Sequence, residues 1–543
     1  MRESFRLIDK PTFFGALGLL LTVTIPLIVY PVGGAKWVEL ANTFLTENLG
    51  FLYLALGLGA GIFMVFIAFS DIGRISLGHP DEEPEFSTLS WAAMLFCAGI
   101  GASILYWATI EWAYYYQEPP FQVEGRTAEA ARWAAAYGIF HWGPLAWAIY
   151  LIPALPIAYF FYVRDRNVLK ISEALLPVLG ERHAHGGTGK LIDVLFVFGM
   201  LGGGATSLSL AAPLINEGAH ELFGVPIGIK SQIVVLVLCT AVFGASAYAG
   251  LKKGIQTLSN INLWLALLLL AFIFVVGPTV FMANTGIDSL GRVLSNLVRM
   301  ATWIEPFGGF ENFDDTQFPQ KWTIFYWAWW LAFAPSVGLF IARISRGRTI
   351  REMVVGSIFY GTLGCFLFFM VLGNYGLYLQ LSGELDIVNI LNTESREAAI
   401  FAILNQLPMH YFVIGTYTVL ALIFTATTFD SISYILASVV QKKLGEEPLR
   451  WNRLFWAFAL SVMPISLLLL EGPLDTLKTA SIVGGAALLI VALLLCMAIV
   501  KVARFDLHYQ KDHDTGEIHI DELPEEDPWA AAGEKPGDKS GEL

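Results

Sequence analysis

Apolar runs recur along the chain at 11–32, 50–70, 90–116, 138–162, 191–216, 231–250, 258–282, 322–345, 353–378, 409–438, 453–471 and 479–502. Each is close to the ~20 residues that an α-helix needs to cross a hydrocarbon core, and polar segments separate them. The pattern predicts an all-α integral membrane protein with about twelve transmembrane helices. An even number of spans places both termini on one side. With the N-terminus inside, 24 of the 33 Lys and Arg residues fall on that inner side, which orients both ends toward the cytoplasm.

Two stretches depart from this pattern. Between spans seven and eight, Leu290, Val293, Leu294, Leu297 and Val298 form one helical face, and Arg292, Ser295, Asn296 and Arg299 lie largely on the other. This spacing fits an amphipathic helix lying in the membrane interface, or a helix packed on the protein surface. From Asp512 to Leu543 the chain is acidic, rich in Gly and Pro and without periodicity, and a disordered tail is expected there.

Composition sharpens the picture in three ways. A chain of 543 residues that is 56% hydrophobic has more apolar surface than a soluble fold of its size could bury. The net charge of −13 comes largely from the tail and from Asp81-Glu82-Glu83, and gives no basis for nucleic-acid binding. Cys97, Cys239, Cys365 and Cys496 fall in apolar spans without metal-ligand spacing and read as packed, reduced thiols. The first span is too long for the apolar core of a cleavable signal peptide.

Span three carries Cys97-Ala-Gly-Ile-Gly-Ala-Ser103 at its middle, where Gly99 and Gly101 weaken the helix. Unwound backbone at that depth is tolerated where it lines a cavity, and its carbonyls can then bind cations. Paired small residues also allow close helix packing. Span eight carries Pro335 and Gly338, so a second interruption is expected there. Spans three and eight are five apart, so the chain divides into inverted five-helix repeats, spans 3–7 and 8–12. The expected units are 1–89 (N-terminal tail and two peripheral helices), 90–282 (first repeat), 283–321 (interfacial helix and loop), 322–504 (second repeat) and 505–543 (tail).

The same two regions hold the aromatic residues. Trp327, Trp329, Trp330 and Phe333 lie at mid-span, away from the interfaces where tryptophan usually concentrates, and Trp142, Trp147 and Tyr150 lie on span four. Aromatic faces around a dehydrated site attract quaternary ammonium groups by cation–π interaction. The same residues would also suit a Trp-rich bundle core. Thr427 and Thr428 on span ten offer two adjacent hydroxyls, which suit sodium as hard oxygen ligands but can equally back-bond within their own helix. Asp430 is an intramembrane carboxylate, a costly group that points to function. His141 has no nucleophile or metal partner in the sequence pattern and reads as a structural residue. No enzyme is expected.

The motif Trp-x-Trp-Trp at 327–330 running into Ala-Arg-Ile-Ser-Arg-Gly-Arg-Thr at 342–349 resembles the signature of the betaine/choline/carnitine transporter family, and the similarity extends from about residue 10 to 505. The resemblance implies a LeuT-like inverted-repeat fold, a homotrimer and residence in the bacterial inner membrane. It implies a cage for a trimethylammonium or dimethylsulfonium zwitterion made of Trp142, Trp147, Tyr150, Trp329, Trp330 and Phe333, beside the broken backbone at Gly99, Ile100, Gly101 and Ser103. Phe333 stands where osmolyte importers commonly have Trp. Ser103 stands where betaine importers often have Gly and many choline carriers an acid, which favours glycine betaine, carnitine or dimethylsulfoniopropionate over choline.

For the coupling ion, Na+, the resemblance implies backbone carbonyls of Cys97, Ile100 and Phe424 with the hydroxyls of Thr427 and Thr428. Sodium-independent exchangers of the family place Arg at the position of Gln256, so sodium symport is favoured over exchange. Thr206 and Ser207 are further candidates for a sodium site, whereas Ser336 and Val337 fit a second site poorly. Asp430 and Gln256 are carried as conformational residues. Rival readings are an exchanger, a choline transporter, an ion channel and an intramembrane enzyme.

Overall fold

A computed structural model describes residues 4–79, 82–98, 101–166, 170–249, 252–311, 313–442, 448–469, 474–508 and 529. Among these residues there is no strand beyond two isolated bridges, and helices occupy every expected span. In lipid every backbone polar group must be satisfied within its own segment, so long apolar runs fold as helices.

The principal helices are α1 (Lys10–Val29), α2 (Gly50–Phe69), α3 (Thr88–Ala98), α4 (Ala102–Gln117), α5 (Ala128–His141), α6 (Pro144–Tyr162), α7 (Gly187–Phe223), α8 (Ile229–Ala249) and α9 (Lys252–Val276). They continue as α10 (Thr279–Thr302), α11 (Ile324–Ile344), α12 (Ile350–Phe368), α13 (Asn374–Ser382), α14 (His410–Val439), α15 (Arg450–Leu469), α16 (Leu474–Ala486) and α17 (Leu489–His508). Eight helical segments among the described residues are long and apolar enough to cross a membrane unaided. Span seven is α9, span twelve is the α16–α17 pair, span six is α8, and span three is the α3–α4 pair.

Capping fixes several helix starts. Thr349 and Glu352 form a reciprocal capping box at the start of α12. The Thr127 hydroxyl accepts from the Ala130 N–H at the start of α5.

The amphipathic stretch between spans seven and eight forms α10. It turns 112° away from α9 after Gly277 and Pro278. Its arginines face the protein: Arg292 pairs with Glu129 at 2.6 Å and lies over Trp133, and Arg299 lies over Phe121. Ile287, Leu290, Leu294 and Val298 are exposed, whereas Val293 of the expected apolar face is buried. The apolar face is therefore divided between the bundle and its surroundings.

Span three is broken as expected. Helix α3 covers Thr88–Ala98 among the described residues, Gly101 is extended, and α4 starts at Ala102. Gly99 and Ile100 lie outside the described residues. Span eight departs from expectation: α11 runs unbroken from Ile324 to Ile344 through Pro335 and Gly338, preceded by a π-helical turn over Pro319–Thr323. Gly338 serves close packing instead. A Cβ there would lie 3.0 Å from the Ala154 nitrogen, the Pro153 ring and the Tyr150 carbonyl, so α11 crosses α6 with backbone almost in contact.

Most of the expected tail, 505–543, lies outside the described residues. Trp529 is buried on Phe505, with ring centroids 4.9 Å apart, beneath the Arg164 guanidinium.

Candidate functional site

Spans three, four and eight meet at the centre of the bundle. Span four is interrupted at Trp142-Gly143, between α5 and α6. A Cβ on Gly143 would fall 2.4 Å from the Ile139 carbonyl, so only glycine lets the chain turn there. Pro144 restarts the helix at its first position, where its missing N–H costs nothing. The turn projects Trp142 toward α11.

Trp329 and Trp330 lie nearly parallel, 5.0 Å apart at 11°. Trp142 stands across both, 6.0 Å from Trp329 at 82° and 4.7 Å from Trp330 at 71°. Tyr150 meets Trp330 at 5.7 Å and 71°. These four rings form perpendicular walls, and all are buried. Their indole N–H groups are already committed: Trp329 donates to the Gly203 carbonyl at 3.2 Å, and Trp330 to the His141 carbonyl at 2.8 Å. Edge hydrogen bonds of this kind fix ring orientation, and the faces of Trp329 and Trp330 pack on Phe325, Tyr326 and each other.

The other two expected cage residues are peripheral. Trp147 packs against Gly361 of α12, where a Cβ would fall 2.0 Å from its ring, and its ring contact with the cage runs through Tyr150 at 5.8 Å. Phe333 is half-buried, 6.3 Å from Trp329, and packs against Gly203.

Sequence reasoning missed Glu111. It is fully buried on α4 and is held by three donors. Trp142 Nε1 donates at 3.3 Å and the Tyr326 hydroxyl at 2.6 Å, and the Tyr115 hydroxyl completes the set. His141 Nδ1 lies 2.9 Å from the Tyr115 hydroxyl and Nε2 lies 3.0 Å from the Thr323 hydroxyl. Tyr326 stacks on both His141 and Trp330. His141 is thus a hydrogen-bonded structural residue, and Glu111 orients a cage wall. The available signal was its place as a carboxylate inside an apolar span.

Around the break in span three, the Ser103 hydroxyl donates to Ser207 at 3.2 Å. The Thr428 hydroxyl lies 3.5 Å from where a Gly101 Cβ would be, so α14 faces the broken segment. Thr427 and Thr428 both donate to the Phe424 carbonyl, at 3.1 and 2.9 Å, which gathers three oxygens into one cluster. Each hydroxyl oxygen keeps lone pairs while it donates. The Cys97 side chain and Ile100 lie outside the described residues, so the span-three half of the ion site is not described. Thr206 accepts from Ser481 at 2.7 Å. Asp430 is paired with Arg453 of α15 at 2.5 Å, tying spans ten and eleven together. Gln256 lies in α9, and its side chain is outside the described residues. A groove of about 690 Å³ between Phe63, Val178, Met497, Lys501 and Arg504 shares no residue with the cage.

Known proteins match nearly the whole chain. Residues 11–508 match the BCCT, betaine/carnitine/choline family transporter. The chain is similar to the carnitine transporter of Acinetobacter baumannii, 32% identical over 91% of this chain and 89% of that one. It is also similar to the glycine betaine transporter OpuD of Bacillus subtilis, 39% identical over 84% and 86%. The uncharacterized transporter YeaV of Escherichia coli is 35% identical over 85% and 92%. Among solved structures, a Na+-coupled sialic acid symporter is 12% identical with a TM-score of 0.38 over 84% of this chain and 82% of that one, too loose a likeness to bear on coupling or substrate. The match runs almost end to end, so this chain belongs to the betaine/carnitine/choline family of membrane transporters and is not an enzyme.

Proposed function

We propose that the protein takes up a small quaternary-ammonium or sulfonium zwitterion (glycine betaine, carnitine or dimethylsulfoniopropionate) together with sodium, by alternating access. The observation that carries this reading is the set of perpendicular walls formed by Trp142, Trp329, Trp330 and Tyr150, whose three indole N–H groups are held by hydrogen bonds and whose rings would part to surround an onium group. The N-terminus of α4 at Gly101–Ser103 would face the substrate carboxylate, as half-helix ends do in transporters with broken spans. The oxygen cluster of Phe424, Thr427 and Thr428 would hold sodium between α14 and the broken segment. Spans 3–7 and 8–12 would rock against each other as inverted repeats. The chain would work as a homotrimer in the lipid of the bacterial inner membrane, with both termini in the cytoplasm.

The test is uptake of radiolabelled glycine betaine into liposomes containing the purified protein, with and without an inward sodium gradient. Unlabelled carnitine, choline and dimethylsulfoniopropionate serve as competitors. Sodium-driven accumulation supports symport, and the ranking of competitors identifies the substrate. Uptake that ignores sodium and requires preloaded substrate overturns symport in favour of exchange. Dominant inhibition by choline overturns the zwitterion preference.

A further inference from the structure

Span nine runs as α12, a π-helical turn over Phe369–Gly373, and α13. A π turn holds one residue more than the α turn it replaces, and so offsets the helix beyond it by about 100°. Turns of this kind often mark functional positions in a helix. Here the span packs closely on three others. Before the turn, Gly361 receives the Trp147 ring of α6. Beyond it, a Cβ on Gly376 would fall 2.8 Å from the Trp112 indole of α4, and at the end of the turn a Cβ on Gly373 would fall 2.9 Å from the Ala108 carbonyl of the same helix. Within the turn Phe369 is buried against α5, where a Cβ on Gly138 would fall 2.2 Å from its ring.

The Gly138 notch sets Phe369 beside the cage. Its ring centroid lies 6.0 Å from that of Trp142 at 52°, within the range of an aromatic pair. Trp142 follows the last residue of α5, at the interruption of span four, so packing and hydrogen bonding must fix the angle of its ring. Its indole N–H is held by Glu111 at 3.3 Å, and its ring meets Trp330 at 4.7 Å and Phe369 at 6.0 Å. The next residue of the turn, Met370, lies away from the cage, against Gly286 of α10, where a Cβ would fall 2.6 Å from its side chain. Adjacent side chains of one turn thus reach two different helices, and only the first bears on Trp142.

We propose that Phe369, seated by the π turn of span nine in the Gly138 notch, is a positioning residue that holds the Trp142 ring at the angle that closes the cage on substrate. It acts through Trp142, so its loss weakens substrate binding and leaves the later steps of transport in place. The proposal deepens the transport reading above and rests on it.

The experiment is a double-mutant cycle on the full chain, with glycine betaine binding read from tryptophan fluorescence in detergent and uptake read in liposomes. Phe369→Leu removes the ring, Gly138→Ala displaces it, and the double variant does both. Met370→Leu changes the same turn on its α10 side and serves as the control. The expected result is binding about fivefold weaker in Phe369→Leu and in Gly138→Ala, the size of a lost aromatic contact. The double variant should be no weaker than Phe369→Leu alone, because the shorter leucine leaves room for the new methyl group. In uptake, half-saturation should rise while the maximal rate per folded protein stays near that of wild type, a split that a general packing defect does not produce. Met370→Leu should bind as wild type does. If Phe369→Leu does not fold, Phe369→Met takes its place throughout. Wild-type affinity in the folded ring-free variant overturns the role of Phe369, as do losses that simply add in the double variant, and both leave the transport reading intact. Failure of the wild type to bind or take up glycine betaine, carnitine or dimethylsulfoniopropionate overturns both.

Discussion

Trp142 Nε1 donates to Glu111 Oε2 across 3.3 Å, so a carboxylate on span three sets the angle of a cage wall carried by span four. The same carboxylate accepts from Tyr326 on span eight, and through it the three helices that build the cage are tied at one buried atom group. Glu111→Gln keeps the shape but introduces an amide that cannot accept from all three donors. Hydrogen bonds to charged groups are worth ~1.5–3 kcal/mol, so apparent substrate affinity is expected to fall by at least about tenfold. Concentration-dependent uptake checks this, and an unchanged half-saturation would mean that the cage holds its geometry without Glu111.

Trp330 touches Trp142, Tyr150, Tyr326 and Trp329, more cage rings than Phe333 reaches. Trp330→Leu removes the cation–π face and is expected to cost ~2 kcal/mol, about thirtyfold in affinity. Phe333→Leu should cost no more than a few-fold, because Phe333 is half-exposed at the edge of the cage. Direct binding of betaine to the purified variants distinguishes the two, and equal losses would show that the cage centre lies nearer Phe333.

The shared Phe424 carbonyl makes the two threonines a unit. Replacing Thr427 and Thr428 together with Ala leaves the helix intact, because among the described residues both hydroxyls bond within their own turn. Expected is loss of sodium-stimulated uptake with normal amounts of folded protein. Sodium activation curves of the double variant give the answer, and a curve superimposable on wild type would remove these residues from the ion site.

Gly338 is a packing position and not a hinge. Gly338→Val would push a side chain into the backbone of α6 at 3.0 Å, and overpacking of that kind typically costs ~1–3 kcal/mol. The variant should lower the unfolding temperature in detergent. A variant as stable as wild type would mean that α11 can separate from α6 at no cost.

Helix number and position were legible in the sequence because lipid imposes one local rule, that a segment of ~20 apolar residues satisfies its own backbone. The weakness of span three was legible from the low helix propensity of its glycines, although Gly202-Gly203-Gly204 stay helical in α7. Pro335 misled. Its ring removes one hydrogen bond, yet α11 stays helical because α6 presses against it at Gly338. Trp147 shares a helical face with Tyr150, but Gly361 on α12 offers it a fitted slot away from the indoles of α11, and no sequence spacing reveals that slot.

The sequence by itself thus determined the membrane-spanning architecture, the family and which helices carry the aromatic residues, because each rests on local composition or on a continuous motif. Tertiary structure alone decided which rings face one another, that Glu111 orients Trp142 and that Arg453 pairs with Asp430. These contacts join residues tens to hundreds of positions apart. Their energies depend on distance and direction in space, which periodicity along a chain does not encode.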